Sequence, residues 1–313
     1  MTRLIVAAVL LVIALFALGF ALRDHLFGPP QPRAASASQP PTAAGAAAPS
    51  AVAAPPAPSL TVSSLEGGVE LRESAAEDWQ VVTVPQDFGG SDALRTREGG
   101  SAVITGGDGV RVEISERSQL SLSRLERGVA SLLLESGRIA AQVSGGRSRL
   151  QVAVQGNPTL VQSDDGAFAV QRNADGQVTV ATTQGRTGLR ARDRELQLTA
   201  GELSIVPVDR PPSPPSRIPP TLFLKVSRSG PGKLNRRETD LGGETTPGAL
   251  VTVNGVEVSA DDQGRFAARV PLHEGENSVK VTARDALGRV QQKTLAPIQV
   301  DTQAPKLEGK VVW

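Results

Sequence analysis

A regular alternation of apolar and polar residues between positions 60 and 208 constrains the fold of this chain more than any other feature. Short alternating runs, such as those that begin at Val69, Val110 and Leu150, are separated by Gly, Asp, Asn or Ser at intervals of roughly eight to twelve residues. Successive side chains point to opposite faces of a strand, so this period indicates strands with one buried face. The repeated turn signals predict an all-β sandwich, roll or solenoid over residues 60–208.

An uninterrupted apolar segment occupies residues 4–22 and is preceded only by residues 1–3. As a helix at about 1.5 Å per residue it would span roughly 28 Å, close to the bilayer core of about 30 Å. The charges of Arg3 and the α-amino group favour a cytoplasmic N-terminus. We therefore expect a short cytoplasmic tail, an uncleaved transmembrane signal anchor and an extracytoplasmic remainder. Cleavage as a signal peptide, with Ala17-Leu18-Gly19 as a weak site, is the alternative.

Two Pro-rich stretches divide the rest of the chain. Residues 23–59 are rich in Pro and Ala and cannot bury enough apolar surface to fold, which predicts a disordered tether. Residues 209–220 predict a short, stiff linker. Beyond it, residues 221–300 carry a second set of strand patterns, with a hairpin turn at Asn254-Gly255, and predict a small β-sandwich. We expect residues 301–313 to form a last strand or a tail.

Composition argues against several function classes. Cysteine is absent, which removes thiol nucleophiles, disulfides and Cys-based zinc sites. The two histidines, His25 and His273, cannot form a multi-His metal site within one chain. A formal net charge of +1 gives no long-range field for nucleic acid. No catalytic motif is recognisable, so we expect a protein that is not an enzyme and that uses no cofactor.

An acidic loop in the C-terminal part predicts structure rather than metal binding. Asp261-Asp262-Gln263-Gly264 is typical of a tight hairpin loop and lacks the ligand spacing of an EF-hand. A calcium site that uses Asp285 and Asp301 is the alternative.

The central runs, in their order and spacing, resemble the FecR domain family. The matching stretches are GGVELR (67–72), DALRT (92–96), LLLESGRIAAQV (132–143), GAFAVQRNADGQVTVATTQGRTGL (166–189) and LTAGELSIV (198–206). The resemblance implies an extracytoplasmic all-β module. In the regulators of that family, this module passes a signal from an outer-membrane transporter to a cytoplasmic anti-sigma segment. With only residues 1–3 before the apolar segment, we expect this chain to lack that segment.

Residues 243–289 resemble bacterial Ig-like modules of cell-surface proteins, which implies a spacer, a stacking unit or a weak adhesion surface. The expected architecture is therefore all-β: a single N-terminal transmembrane helix, a sandwich or roll-like FecR domain over 60–208, and a small Ig-like sandwich over 221–300. Its expected location is the bacterial inner membrane, with the bulk of the chain periplasmic.

Aromatic residues are the first candidates for ligand contact. Trp79, one of two tryptophans, is interpreted either as a core anchor or as a stacking platform. Glycan binding would require Trp79, Phe88 or Phe266 to be exposed in a groove.

Two basic groups are the other candidates. Arg190, Arg192 and Arg194 have i, i+2 spacing, which predicts a basic stripe on one strand face or a solvated face. Arg236 and Arg237 lie in a loop region that would either contact anionic envelope polymers or remain solvated.

These observations support three hypotheses. The first is a protein-binding scaffold of the envelope, anchored in the membrane and recognising a protein partner through loops and sheet edges. The second is binding to cell-wall glycan. The third is a signal relay whose cytoplasmic part comes from a separate chain.

Overall fold

The structure, a computed structural model, describes residues 59–303 except 75, 107–108, 127 and 229–231. Every regular element in these residues is a β-strand, so the all-β prediction is confirmed for this part of the chain. The predicted tail 1–3, anchor 4–22 and nearly all of the tether 23–59 lie outside the described residues, as do positions 304–313. No helix in the described part is long and apolar enough to cross a membrane.

The central module contains sixteen strands that join into one hydrogen-bonded network. Their bounds are β1 (Leu60–Glu66), β2 (Val69–Arg72), β3 (Gln80–Val81), β4 (Gln86–Phe88), β5 (Ala93–Thr96), β6 (Ser101–Gly106), β7 (Val110–Ile114), β8 (Gln119–Glu126), β9 (Val129–Val143), β10 (Arg149–Val154), β11 (Asn157–Ser163), β12 (Gly166–Arg172), β13 (Val178–Ala191), β14 (Arg194–Thr199), β15 (Glu202–Val206) and β16 (Ser216–Arg217).

The network consists of two facing sheets. Sheet A has the strand order β4-β1-β6-β7-β9-β12-β13-β15-β16. Sheet B has the order β3-β2-β5-β8-β9-β10-β11-β13-β14. The long strands β9 and β13 belong to both sheets. The inward residues of both sheets form one core, with Leu94, Ile104 and Leu132 among its fully buried members. The module is a β-sandwich.

Strand β9 passes between the sheets at a glycine. Its buried residues are even-numbered before the bend and odd-numbered after it, namely Ala130, Leu132 and Leu134, then Ile139, Ala141 and Val143. The alternation shifts by one at Gly137, whose φ is +84°. A Cβ at this position would lie 2.3 Å from Ser118 Oγ and 2.7 Å from Arg117 O, so only glycine fits without rearrangement.

The C-terminal module has ten strands in three small sheets. They are β17 (Leu224–Arg228), β18 (Lys233–Leu234), β19 (Glu238–Thr245), β20 (Leu250–Val253), β21 (Val256–Ser259), β22 (Arg265–Pro271), β23 (Gly275–Asn277), β24 (Lys280–Arg284), β25 (Val290–Thr294) and β26 (Ile298–Val300). Sheet C is β17-β19-β22, sheet D is β18-β26-β23 and sheet E is β21-β20-β24-β25. Val251, Val270 and Val281 are fully buried in the shared core.

Two hairpin loops of the C-terminal module repeat the pattern Asp-x-x-Gly-Arg. In each, the Asp carboxylate accepts hydrogen bonds from two backbone N–H groups and from the arginine at the end of the loop: Asp261 with Gln263 and Arg265, and Asp285 with Leu287 and Arg289. Gly264 and Gly288 take the positive φ that closes each loop. The predicted hairpin loop at Asp261 is confirmed.

The Pro-rich stretch 209–220 is held by hydrogen bonds along the edge of sheet A. Ser213 N–H donates to Ile205 O at 2.8 Å, and β16 pairs with β15. At its end, Nη1 of Arg289 donates to the carbonyls of Pro219 and Pro220 at 2.9 and 2.8 Å. The stretch is therefore attached to both modules rather than free between them.

Candidate functional site

The C-terminal module packs on the outer face of sheet A, and we call this contact the module interface. Its apolar centre is a small cluster of Ala181, Leu203 and Ile205 from the central module with Ala286 from the loop after β24. Strand β13 is consequently buried on both faces between Val178 and Thr182. The small side chains of Ala181 and Ala286 allow the two modules to approach each other closely.

Polar contacts surround this apolar centre. Asn173 Nδ2 donates to Ser259 Oγ at 2.7 Å, and Gln177 Nε2 donates to Ala260 O at 3.0 Å. Thr179 Oγ1 donates to Gly248 O at 3.1 Å. A Cβ on Gly248 would lie 2.3 Å from that hydroxyl. The hydrogen bonds join strand and loop residues of both modules, so they hold the modules in a defined orientation.

Arg138 links three segments at this interface. Its Nε donates to Ala286 O at 2.7 Å and its Nη1 to Ser115 Oγ at 2.5 Å. Burial lowers the pKa of Arg138, and the charge of Asp285 acts in the opposite direction. A guanidinium nevertheless stays protonated in proteins, so Arg138 places a positive charge within the interface.

An ion pair closes one side of the interface. Arg284 of β24 contacts Glu116 at 2.5 Å, and the other carboxylate oxygen of Glu116 accepts the N–H of Gly99 at 2.8 Å. The Gly99 hydrogen bond and the charges of Arg284 and Arg117 lower the pKa of Glu116. Both side chains are half-buried, which makes this pair less screened than an exposed one.

Beside the interface lies a cleft of about 640 Å³ between the loop end of the central module and the exposed face of sheet E. Arg117, Arg138 and Arg172 contribute from the central module, and Thr252, Lys280 and Gln292 from the C-terminal module. Most of the residues that line it have polar side chains, and they include both acidic and basic groups.

Trp79 is neither buried in the core nor free on the surface. It is half-buried, and the guanidinium groups of Arg72 and Arg95 lie 4.9 and 4.3 Å from its ring centre, within cation–π distance. Arg95 and Arg97 both pair with Glu70, and these hydrogen bonds, that of Arg97 first, lower the pKa of Glu70. Trp79 therefore belongs to a charged cluster on sheet B.

Next to this cluster, edge strand β3 and the segment that follows it expose apolar side chains. Val81 is 70% exposed and Val84, three residues on, is 61% exposed, whereas Val82 between them is 6% exposed and belongs to the core. We call Trp79, Val81 and Val84 the β3 edge patch. In the described residues β3 pairs with β2 on one side, which leaves its other side at the edge of sheet B.

The two phenylalanines are core residues. Phe88 is 1% exposed in the central module and Phe266 is 6% exposed in the C-terminal one. Neither ring is accessible to a ligand in this structure, so Phe88 and Phe266 do not form the exposed groove that glycan binding would require, and Phe88 fills space between the sheets.

The predicted stripe of Arg190, Arg192 and Arg194 does not form. Arg192 has a φ of +53° and lies in the tight turn between β13 and β14, so the chain reverses between Arg190 and Arg194. Arg190 pairs with Glu195 at 3.2 Å, and Arg192 donates to the carbonyl of Val208. No glycine or asparagine marks this turn, which explains why the sequence suggested one continuous strand.

Arg236 and Arg237 are exposed in the segment between β18 and β19. Arg236 lies 3.9 Å from Asp240, and Arg237 lies 3.5 Å from Glu274. Both form surface ion pairs, which contribute little to stability.

The two aspartates of the calcium alternative are engaged separately. Asp285 is 2% exposed and pairs with Arg289, while Asp301 pairs with Lys233 at 3.1 Å. Within the described residues, no group of three His, Asp or Glu side chains has the geometry to hold a metal ion.

Sequence reasoning missed the module interface and the exposure of the β3 edge patch. One signal was present for the interface, the repeated Asp-x-x-Gly-Arg loop; the consecutive burial of residues Val178–Thr182 is seen only in the structure. No signal in the sequence separates Val81 and Val84 from the buried valines of neighbouring strands.

Comparison with known proteins finds one family match in each module. Residues 92–188 match the family described as FecR protein, and residues 243–302 match the family described as glucodextranase, domain B. No curated protein matches the chain. Both resemblances inferred from the sequence, to a FecR domain and to an Ig-like module, are confirmed.

Two crystal structures of a candidate anti-sigma factor from Parabacteroides distasonis are similar to part of the chain. Their sequence identities are 16% and 15%, and each has a TM-score of 0.36 with 40% of this chain and 59% of the other chain covered. The similarity thus spans less than two thirds of those chains. The chain is thus similar to FecR proteins over residues 92–188 and to glucodextranase domain B over residues 243–302, and each matched range lies within one of the two sandwiches.

Proposed function

We propose that this chain is a non-enzymatic scaffold of the bacterial envelope that binds a protein partner through the β3 edge patch. The observation that supports the proposal best is the 70% exposure of Val81 on an edge strand. Edge strands present unpaired backbone groups that another strand can complete, and exposed apolar side chains on such an edge mark interaction sites. Trp79 adds a large, partly exposed ring to the same patch.

The charges beside the patch favour an acidic partner segment. Glu70 forms ion pairs with Arg95 and Arg97. Arg72, in contrast, lies over the ring of Trp79 and pairs with no carboxylate of the described residues. A partner strand with an acidic residue near its apolar contacts would meet Arg72. We therefore propose an extended segment with apolar and acidic residues as the bound element.

The module interface supports a scaffold role. The apolar cluster around Ala181 and the hydrogen bonds of Arg138 join the two sandwiches, and residues 209–220 are fixed to both. A partner bound at β3 would then be held at a defined orientation to the C-terminal module. This geometry suits presentation of a partner better than a flexible spacer would.

The proposal includes a single-pass anchor at residues 4–22 in the inner membrane, with a cytoplasmic N-terminus and the two modules in the periplasm. The apolar length of this segment and the charge of Arg3 support it. We expect the full chain to remain in the membrane fraction after carbonate extraction and to be degraded by protease added to spheroplasts. Release by carbonate, or protection from protease, would contradict the anchor or its orientation.

Site-specific photo-crosslinking tests the binding surface. A photoreactive amino acid replaces Val81 or Val84 in the full chain, expressed in cells, and Val290 serves as the control. Val290 lies on β25 of the C-terminal module and is 50% exposed. It is therefore an exposed valine like Val81 and Val84, but it lies on a different module. We expect one discrete protein adduct from positions 81 and 84 that is absent at 290, and that an Arg72→Glu change reduces.

The alternatives predict other outcomes of the same experiment. Adducts to glycan, digestible by cell-wall hydrolases, would favour glycan binding. A partner with its own cytoplasmic domain would favour the signal relay. Equal, diffuse labelling at positions 81, 84 and 290 would overturn a partner site at β3.

A further inference from the structure

The cleft between the two modules, of about 640 Å³, is distinct from the β3 edge patch. Its walls come from loops of the central module and from the exposed face of sheet E. The pair Glu116–Arg284 and the hydrogen bond between Asn173 and Ser259 tie these walls together. A cleft that is held open by such contacts does not have to be organised when a ligand enters, which reduces the free-energy cost of binding.

Three cations of this cleft form no ion pair among the described residues: Arg138 at the module interface, Arg172 and Lys280. Three acidic side chains line the cleft: Glu98 and Glu116 are engaged by Arg117 at 2.8 Å and Arg284 at 2.5 Å, whereas Glu257 of β21, opposite Thr252 in the sheet, forms no ion pair among the described residues. Arg172 of the central module donates through Nε to Gln155 O at 2.8 Å, and Lys280 lies on β24 of the C-terminal module; neither forms an ion pair in the described part of the chain. One anionic group of a ligand would be attracted by both modules.

The rest of the lining suits hydroxyl groups. Thr252, Thr282 and Gln292 form a row across sheet E, since Thr252 pairs with Thr282 and Thr282 with Gln292. Hydroxyl and amide side chains both donate and accept hydrogen bonds, as sugar hydroxyls do. The residues that line the cleft include no aromatic side chain, and Leu250 is their largest apolar member, so an acyl chain or a flat aromatic ligand would gain little there.

From these observations we infer that the cleft binds an acidic saccharide, that is, a sugar unit that carries a carboxylate. The carboxylate lies between Arg172 and Lys280, and the hydroxyls face the row of Thr252, Thr282 and Gln292. The volume is within the range of small-ligand sites, roughly 300–1,000 Å³, and accommodates one or two sugar units. The inference does not depend on the proposed partner site, because it concerns a different surface.

Titration calorimetry of the full chain in detergent tests the inference with D-glucuronate as the probe. D-glucose lacks the carboxylate and acetate lacks the hydroxyls, so each control ligand can make only one of the two proposed sets of contacts. We expect glucuronate to bind at millimolar concentration, and glucose and acetate to bind at least tenfold more weakly. A trisaccharide of galacturonate distinguishes the two sources: tighter binding than the monomer indicates a polymer chain, and equal binding indicates a free sugar acid.

Charge-removing variants locate the binding. Lys280→Gln and Arg172→Gln should each weaken glucuronate binding at least tenfold. The matched control is Lys293→Gln: Lys293 is exposed next to Gln292 on β25, and adjacent side chains of a strand point to opposite faces. Equal affinity for glucose and glucuronate, equal affinity for acetate and glucuronate, no binding of glucuronate, or unchanged binding by Lys280→Gln would each overturn the inference.

Discussion

At the scale of single residues, glycines decide where the long strands change sheets. Gly137 combines a φ of +84° with a backbone and a side chain that would overlap any Cβ, whereas Gly145 has a similar φ of +88° and open space around it. The positive φ alone costs an L-residue about 1–2 kcal/mol. Overlap with packed neighbours adds about 1–3 kcal/mol. A comparison of substitutions at Gly137 and Gly145 therefore separates the cost of backbone strain from the cost of steric overlap.

We expect Gly137→Ala to lower the free energy of unfolding by more than about 3 kcal/mol and Gly145→Ala by about 1–2 kcal/mol. Urea denaturation monitored by circular dichroism would measure both. Similar losses for the two variants would show that the bend of β9 relaxes and that Ser118 can move away.

Glu116 gives a residue-scale prediction for pH. The N–H of Gly99, and then the charges of Arg284 and Arg117, lower the pKa of Glu116 in the folded protein below the usual value of a glutamate. A lowered folded pKa means that the ionised form stabilises the protein above about pH 4.5, and that this contribution disappears as the pH falls through the folded value.

We therefore expect Glu116→Gln to be less stable than the unsubstituted protein at neutral pH, by an amount that shrinks below about pH 4.5. Urea denaturation over a pH series measures the difference. Glu126→Gln is the control, because Glu126 is exposed and its nearest cation, Arg124, is 3.6 Å away. A stability difference for Glu116→Gln that is independent of pH would rule out the carboxylate as its source.

At the scale of elements, the two Asp-x-x-Gly-Arg hairpins form an internal comparison. They share the same hydrogen bonds, but Asp285 is 2% exposed at the module interface, while the Asp261 side chain is 33% exposed. Loss of Asp285 would leave Arg289 without its carboxylate in a buried position, and removal of one partner of a buried pair costs about 3–5 kcal/mol.

The expected losses in unfolding free energy are about 3 kcal/mol or more for Asp285→Ala and about 1 kcal/mol for Asp261→Ala. Chemical denaturation measures them, and hydrogen exchange of residues near Pro219 reports whether the linker loosens. Equal costs would mean that the loop itself, and not its burial between modules, sets the contribution.

At the scale of the whole molecule, the module interface predicts that both sandwiches unfold together. Ala181 is fully buried at its centre, so Ala181→Glu would place a charge in the apolar cluster and separate the modules. Calorimetry should show one transition for the unsubstituted chain and two for Ala181→Glu. Ala267→Glu, on the exposed face of β22, should keep one transition. Two transitions in the unsubstituted chain would show that the interface is too weak to couple the modules.

Much of the fold follows from local patterns, as particular residues illustrate. The alternation around Val110 and Leu150 is a property of neighbouring residues, and Asn254-Gly255 carries the composition of a hairpin turn. These elements were predicted with their correct type. The turn at Arg192 was not, because an arginine there adopts a positive φ that its residue type disfavours.

The candidate sites were less predictable than the strands. Trp79 was named from the sequence, but its contacts with Arg72 and Arg95 depend on the pairing of β2 with β5. Phe88 and Val81 have similar local patterns, yet Phe88 is buried and Val81 is exposed. Burial depends on what packs above a residue, which nearby residues in the chain do not specify.

The sequence by itself determined the class of fold and the resemblance of its two parts to known families, because strand periodicity, turn chemistry and the order of the matching stretches are properties of neighbouring residues. Only the tertiary structure decided that β9 and β13 join two sheets, that the C-terminal module covers sheet A, and that a polar cleft lies between the modules. These features arise from contacts between residues as far apart as Arg138 and Ala286, which meet only once both sandwiches have formed.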